Sequence, residues 1–299
     1  MCVGQGKAEM KLHKSEAVVY LPGRGRIGCI SEAEALDVLS GVTHLGIGAH
    51  PDDVEFMMWQ GILQCYQQRG CHFASLVITN GQGSSRTGAY ADYSDEQMVS
   101  VRLEEQRRVA EAGGYAAAVS LGYTSRELRQ TAKEQVCGDI MTIVRCMRPK
   151  VIYTHNMADR HDSHVAAFTR VLQALRALEP EFRPQEFYGC EVWRSLDWLT
   201  GPDRRVSDVG ARPNLLRALM GLYDSQIAGG KNYDTANFGR RQANATYNDA
   251  YRADDASLLE LSMDLKPLLD NPELTPADYF QRLHKRFGDD VQERLRAVQ

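Results

Sequence analysis

The sequence predicts an α/β protein: a Rossmann-like, mostly parallel sheet flanked by helices, with a helical C-terminal extension. Three observations lead there. Short apolar runs recur along the chain, most of them bounded by Gly, Pro or polar clusters. Longer amphipathic segments with apolar residues at i, i+3 and i+4 separate them, which is the period of a helix with one buried face. Finally, 299 residues, 43% hydrophobic and 25% charged, can bury a core without disulfides. That composition belongs to a soluble globular protein, not a disordered one.

The runs that suit buried strands are residues 18–21, 44–48, 73–79, 117–121, 151–154 and 187–193. Amphipathic helices are expected over 54–69, 96–112, 131–146 and 163–178. Strand and helix alternating on this scale argue for βαβ units and a parallel sheet. From about Pro213 the chain reads as helical with no convincing strand, with helices expected at 215–226, 238–251 and 277–287. The organisation expected is an N-terminal segment, 1–42, packed on a single domain spanning 43–299.

Net charge is −4, from 35 basic and 39 acidic residues. So balanced a chain leaves no electrostatic footprint for nucleic acid or an anionic membrane. No run approaches the roughly 20 apolar residues of a membrane span, and the N-terminus lacks the apolar stretch of a signal peptide. The expected compartment is the cytoplasm. The seven cysteines are scattered with no C-x-x-C pair, so they read as small apolar residues in a reducing environment.

Gly23-Arg-Gly25-Arg-Ile-Gly28 matches the glycine pattern of a dinucleotide site. Pro22 intrudes before it, and the next helix starts late, at a capping box Ser31-Glu-Ala-Glu34. A phosphate-binding turn needs the helix to open inside the glycine motif. A polar turn fits better, and nicotinamide-dependent hydride transfer is the lesser alternative.

In parallel sheets ligands bind beyond the carboxyl ends of the strands, so chemistry is read just after each strand. After 44–48 comes His50-Pro51-Asp52-Asp53, an imidazole with two adjacent carboxylates. Alone, it fits a helix cap equally well. After 151–154 comes a second cluster, with His155, Asp159, His161, Asp162 and His164 inside ten residues. Both loops would open on one sheet edge. Together they offer the two-His-one-carboxylate set that suits catalytic zinc.

The pair His50-Pro-Asp-Asp53 and His161-x-x-His164 resembles the LmbE-like or PIG-L family of zinc-dependent N-deacetylases, over roughly residues 43–192. The resemblance implies a hydrolase that removes acetyl groups from amino sugars or their conjugates. It implies Zn2+, or another divalent metal, held by His50, Asp53 and His164. Asp52 would be the general base. Protonated His161 would stabilise the oxyanion or protonate the leaving amine. Relatives in the family commonly form homo-oligomers. The second motif departs from the family's His-Pro-Asp-His, because Ser163 replaces the usual carboxylate. Asp162 or Asp159 is expected to orient the catalytic histidine instead.

Supporting residues follow from the same reading. Arg102, in Arg102-Leu-Glu-Glu105, matches an element that in the family helps hold substrate, and equally fits an i, i+3 surface ion pair. Asn80 and Arg86 lie in a post-strand loop as expected sugar or acid contacts, with Tyr90 and Tyr93 as an apolar wall. Glu191 is expected to bind a sugar hydroxyl and Trp193 to stack on its ring, although Trp193 also fits a buried aromatic. An amidase acting on a thiol-sugar conjugate fits the same residues. A non-catalytic sugar-binding protein is disfavoured by Asp52.

Overall fold

A computed structural model describes residues 11–26 and 32–299. Its elements run β1 (Val18–Leu21), β2 (Gly25–Arg26), α1 (Glu32–Ser40), β3 (His44–Gly48), α2 (Asp53–Met57), α3 (Trp59–Cys65), β4 (Phe73–Thr79), α4 (Asp95–Gly113) and β5 (Ala117–Tyr123). They continue with α5 (Lys133–Met147), β6 (Val151–His155), α6 (Asp162–Ala177), β7 (Glu186–Cys190), β8 (Arg204–Asp208), α7 (Pro213–Gly221), α8 (Asp224–Ile227), α9 (Tyr233–Thr246), β9 (Leu259–Asp264), α10 (Lys266–Asp270) and α11 (Pro276–Ala297).

One sheet of order β2-β1-β5-β4-β3-β6-β7-β9-β8 organises these elements. The five central strands, β5 to β7, are parallel. An antiparallel pair closes each flank. The chain winds from β3 through β4 to β5 on one side, then returns to add β6 and β7 on the other. β3 and β6 therefore meet at the switch point, where such sheets open a crevice.

Each face of the sheet has its own apolar layer. Leu45, Ile47, Leu76, Ile140 and Phe168 belong to one. Val54, Trp59, Phe73 and Tyr153 belong to the other. On β3 the second face is made of glycines. A Cβ on Gly46 would lie 2.8 Å from the Met58 sulfur, and one on Gly48 2.9 Å from Asp53 Cβ. These bare positions let α2 and α3 press against the strand.

Three expectations need correction. The helix expected over 54–69 breaks at Met58. The Glu260 carboxylate accepts the N–H groups of Trp59 (3.1 Å) and Gln60 (2.7 Å), restarting the helix with an acidic cap. The C-terminal part is not purely helical, since β9 joins the sheet between β7 and β8. Leu259-Glu-Leu-Ser-Met-Asp264 alternates with the period of a strand, but its flanking leucines also satisfy a helical spacing. Of the helices there, 215–226 is divided into α7 and α8, while α9 starts earlier and α11 runs further than expected.

The glycine pattern near the N-terminus forms a hairpin turn. Gly23 and Gly25 take φ of 73° and 82°, and the Arg24 N–H donates to the Leu21 carbonyl at 2.9 Å. β1 turns into an antiparallel neighbour, not a helix, which removes the structural basis for hydride transfer. Gly28, the capping residue Ser31, and Cys2 and Cys29 lie outside the described residues. Among the described residues no helix is long and apolar enough to cross a membrane.

Candidate metal centre and active site

The loop after β3 is strained. Asp52 has φ 122° and ψ −30°, a conformation that costs a non-glycine residue about 1–3 kcal/mol. Asp53 then opens α2, and its Oδ2 accepts the His50 backbone N–H at 2.6 Å. These contacts turn His50, Asp52 and Asp53 toward one cleft at the switch point.

From the other side, β6 and α6 supply the histidines. His50 Nδ1 stands 3.2 Å from His164 Nε2. Asp53 lies 3.4 Å from His50 Nδ1 through Oδ2 and 3.3 Å from His164 Nε2 through Oδ1. A tetrahedral metal with ligands at about 2.0–2.1 Å places its donors roughly 3.3–3.4 Å apart. The three groups read as ligands from the sequence thus lie close together, through different Asp53 oxygens, within two overlapping sets of metal-type donors, His50–His161–His164 and Asp53–His155–His164. His155, also buried, has Nε2 3.1 Å from Asp53 Oδ2 and 2.9 Å from the Ala49 N–H. It braces Asp53 from behind.

His164 Nδ1 faces Asp159 Oδ2 at 3.4 Å. A carboxylate behind a ligating imidazole fixes the ring and raises its basicity. Asp162 does not take this place. It is the first residue of α6, its side chain is 86% exposed, and its nearest cation is Arg129 at 3.9 Å. Of the two aspartates, only Asp159 contacts His164, and it also accepts the His161 backbone N–H at 2.9 Å.

Electrostatics favour a cation here. Burial works against charge on His164, but Asp53 and Asp159 overcome it and push its pKa up to about 10. Burial would raise Asp53, yet His164 and His155 hold it well below the usual carboxylate range. A site that retains a proton so firmly has the field a metal ion uses. Two buried atoms, His155 Nδ1 and His164 Nδ1, lack hydrogen-bond partners.

His161 stands beside the same cluster. Burial, with His164 and His50 beside it, lowers its pKa to about 4. Its Nδ1 already accepts the Ser163 N–H at 3.2 Å, capping α6. With Nδ1 accepting, a neutral ring carries its proton on Nε2. Ser163, the departure from the family motif, contributes this backbone donor and lines the cleft.

Arg102 is 1% exposed, which excludes the surface ion pair. Its Nη2 meets Asp52 Oδ2 at 2.9 Å, and its Nη1 meets Glu105 at 3.0 Å and Ser225 Oγ at 3.1 Å. Burial raises the Asp52 carboxyl well above its ordinary range, and Arg102 opposes that rise.

Three expected substrate contacts lie elsewhere. Glu191 is buried and spends its carboxylate on the Leu196 N–H (2.9 Å) and Asn244 (2.6 Å). Asn80 bonds Gln82 and lines a neighbouring depression. Arg86 ties its loop together through the Tyr93 and Gln82 carbonyls and Asp95. All three are polar residues after strands, and local backbone groups claimed them first. Tyr90 and Tyr93 pack on one another at 5.3 Å.

Trp193 does line the cleft. It is 36% exposed, stands 6.2 Å from the His161 ring and crosses Tyr233 at 5.9 Å. The cleft holds about 380 Å³ and is also lined by Phe56, Ser125, Arg129, Gln226 and Tyr233. Ser125 and Arg129 follow β5, so the post-strand rule reaches them. Gln226 and Tyr233 come from the C-terminal helices, and no local pattern marks them.

A parallel sheet with a carboxylate–imidazole centre at its switch point defines a class of ligand-binding α/β proteins. Comparison narrows that class. Residues 45–175 are similar to the model of the PIG-L family, described as GlcNAc-PI de-N-acetylase. A deacetylase of Escherichia coli K12 named YaiS is 27% identical over 141 residues, covering 45% of this chain and 68% of that protein. The fold resembles the N,N'-diacetylchitobiose deacetylase of Pyrococcus horikoshii (TM-score 0.62, 13% identity, 81% of this chain and 96% of that one). It also resembles the 4-carboxy-2-hydroxymuconate hydratase of Pseudomonas putida (TM-score 0.58, 16% identity, 78% and 98%). The last likeness shows that the fold alone does not choose the reaction.

Proposed function

We propose that the chain is a metal-dependent N-deacetylase acting on an N-acetylated amino sugar or its conjugate. The observation that carries this reading is the company Asp52 keeps. A carboxylate held by Arg102 projects from the same turn that supplies two metal-type donors, His50 and Asp53. The activities for which the family and the chitobiose deacetylase are named point to the same bond.

His50, Asp53 and His164 would hold zinc or another divalent cation. When bound, such an ion supplies Lewis-acid polarisation of a carbonyl and a lowered pKa for water. Asp52 takes the proton from the attacking water, a task suited to a carboxyl raised by burial. Oxygen adds to the acetyl carbonyl carbon. Neutral His161 donates its Nε2 proton as a hydrogen bond to the developing oxyanion. Asp52 returns its proton to the amide nitrogen, the C–N bond breaks, and acetate and a free amine leave. The Trp193–Tyr233 corner offers the sugar ring an apolar wall.

The test is acetate release by protein loaded with one zinc per catalytic site. Substrates would span N-acetylhexosamines, N,N'-diacetylchitobiose, lipid-linked glucosamine amides and a thiol-sugar conjugate. Release from an amino-sugar substrate, abolished in His164→Ala, is expected. No release from any substrate by fully loaded protein would shift the reading to a sugar-binding protein.

A further inference from the structure

At the opposite end of β3 lies a second group of metal-type donors. His44 opens the strand, Cys65 ends α3, and Cys71 sits just before β4. His44 is six residues from His50 along an extended chain, so the two groups stand roughly 20 Å apart at about 3.3 Å per residue. Nothing in the proposed catalysis uses them.

Their geometry is that of a ligand set. The Cys65 and Cys71 sulfurs are 3.3 Å apart, and the Cys71 sulfur is 3.5 Å from His44 Nδ1. One donor atom from each residue falls within 4.8 Å of the others. Zinc–sulfur bonds of about 2.3 Å and zinc–nitrogen bonds of about 2.0–2.1 Å put tetrahedral donors roughly 3.6–3.8 Å apart. Closing that gap takes a few tenths of an ångström. Both thiols are free.

The surroundings support the same reading. Thr43 Oγ1 stands 2.9 Å from His44 Nδ1 and 3.7 Å from the Cys71 sulfur, where it or a water can complete four-coordination. Cys71 is only partly buried, which leaves an entry path. Two thiolates with one imidazole select thiophilic ions over magnesium or calcium.

We infer that His44, Cys65 and Cys71 form a second, structural site for a thiophilic divalent cation, zinc in the first instance. Binding replaces the two thiol protons, which pass to solvent, and forms two metal–sulfur bonds and one metal–nitrogen bond. The ion ties the end of α3 and the loop before β4 to the start of β3, beneath the catalytic turn.

Cobalt substitution of the fully reduced protein tests this independently of activity. Wild type should bind two Co2+ per chain and show a thiolate-to-cobalt charge-transfer band. Cys71→Ser and His44→Gln should each bind one, with the band lost or much weakened. The band should survive in His50→Ala, whose donors are nitrogen and oxygen only. Circular dichroism confirms that each variant folds, and loss of the band in two unrelated variants guards against one that does not. Wild type that binds a single Co2+ without the band, or thiols that remain fully reactive to a disulfide reagent under saturating zinc, would overturn the inference. Failure of the catalytic proposal would leave the band unchanged.

Discussion

Two regions of this molecule bury charge in opposite ways. At the switch point, Arg102 and His164 crowd onto the strained turn that carries Asp52 and Asp53, with Asp159 3.4 Å behind His164. On the antiparallel flank, Glu260 pairs with Arg241 and accepts two backbone N–H groups of α3. Arg241 also donates to the Phe56 carbonyl at 2.9 Å. Residue types overlap, but the accounting differs. The flank carboxylate caps a helix and pairs with one arginine, whereas Asp53 in the cleft faces the imidazoles of His50, His155 and His164. What a buried carboxylate faces, more than its residue type, separates a site from a scaffold.

Exchanging one carboxylate in each region should split activity from stability. Asp52→Asn should lower turnover by about 10²–10⁴-fold, the usual contribution of a general base. Zinc content and the unfolding midpoint should hardly change. Turnover near that of the wild type would remove Asp52 from the chemistry. Glu260→Ala leaves Arg241 buried without its counter-charge and should cost about 3–5 kcal/mol in denaturant unfolding. Activity per folded molecule should persist.

Arg102 tests the border between the regions, since it touches the base yet is wholly enclosed. Arg102→Met removes the charge that restrains the Asp52 pKa. The acid limb of the kcat/KM profile should move to higher pH, with kcat falling more than KM rises. Arg102→Lys should recover part of the shift. An unmoved profile would make Arg102 merely structural.

The metal-free cleft should also give a peaked pH–stability curve. His155 and His161 have folded pKa values of about 4 against 6.5 when unfolded. Below pH 6.5 the unfolded chain binds protons the folded one refuses, so stability falls toward pH 4. His164, at about 10 when folded, holds a proton that the unfolded chain loses above 6.5. Stability therefore falls again as pH rises from 6.5 through 10. Melting temperatures in chelator should peak near pH 6.5, and zinc should flatten the alkaline side. A monotonic curve would contradict the charge state assigned to His164. The smallest effect belongs to Asp162→Asn, within about twofold of wild-type activity, as for an exposed surface change.

The contrast also explains what the sequence could and could not convey. β3, β4 and β6 were legible because parallel strands buried on both faces are short, continuous apolar runs. His50, Asp52, Asp53, His161 and His164 were legible because they cluster locally after such runs. Glu191, Asn80 and Arg86 satisfied the same positional rule, yet their polar atoms are occupied by neighbouring backbone and side-chain groups that only the fold reveals. β9 hid behind leucines that fit two periods. The Arg102–Asp52 contact joins residues 50 positions apart, beyond any local pattern.

One consequence concerns divergence. The residues proposed as metal ligands, base and oxyanion donor all fall inside residues 45–175, the stretch similar to the family model. Trp193, Gln226 and Tyr233, which shape the wall of the cleft, fall outside it. Phe56, Ser125 and Arg129 line the same cleft from inside the matched stretch. On the proposed function, exchanging residues 193–233 between relatives should therefore shift only part of the substrate preference.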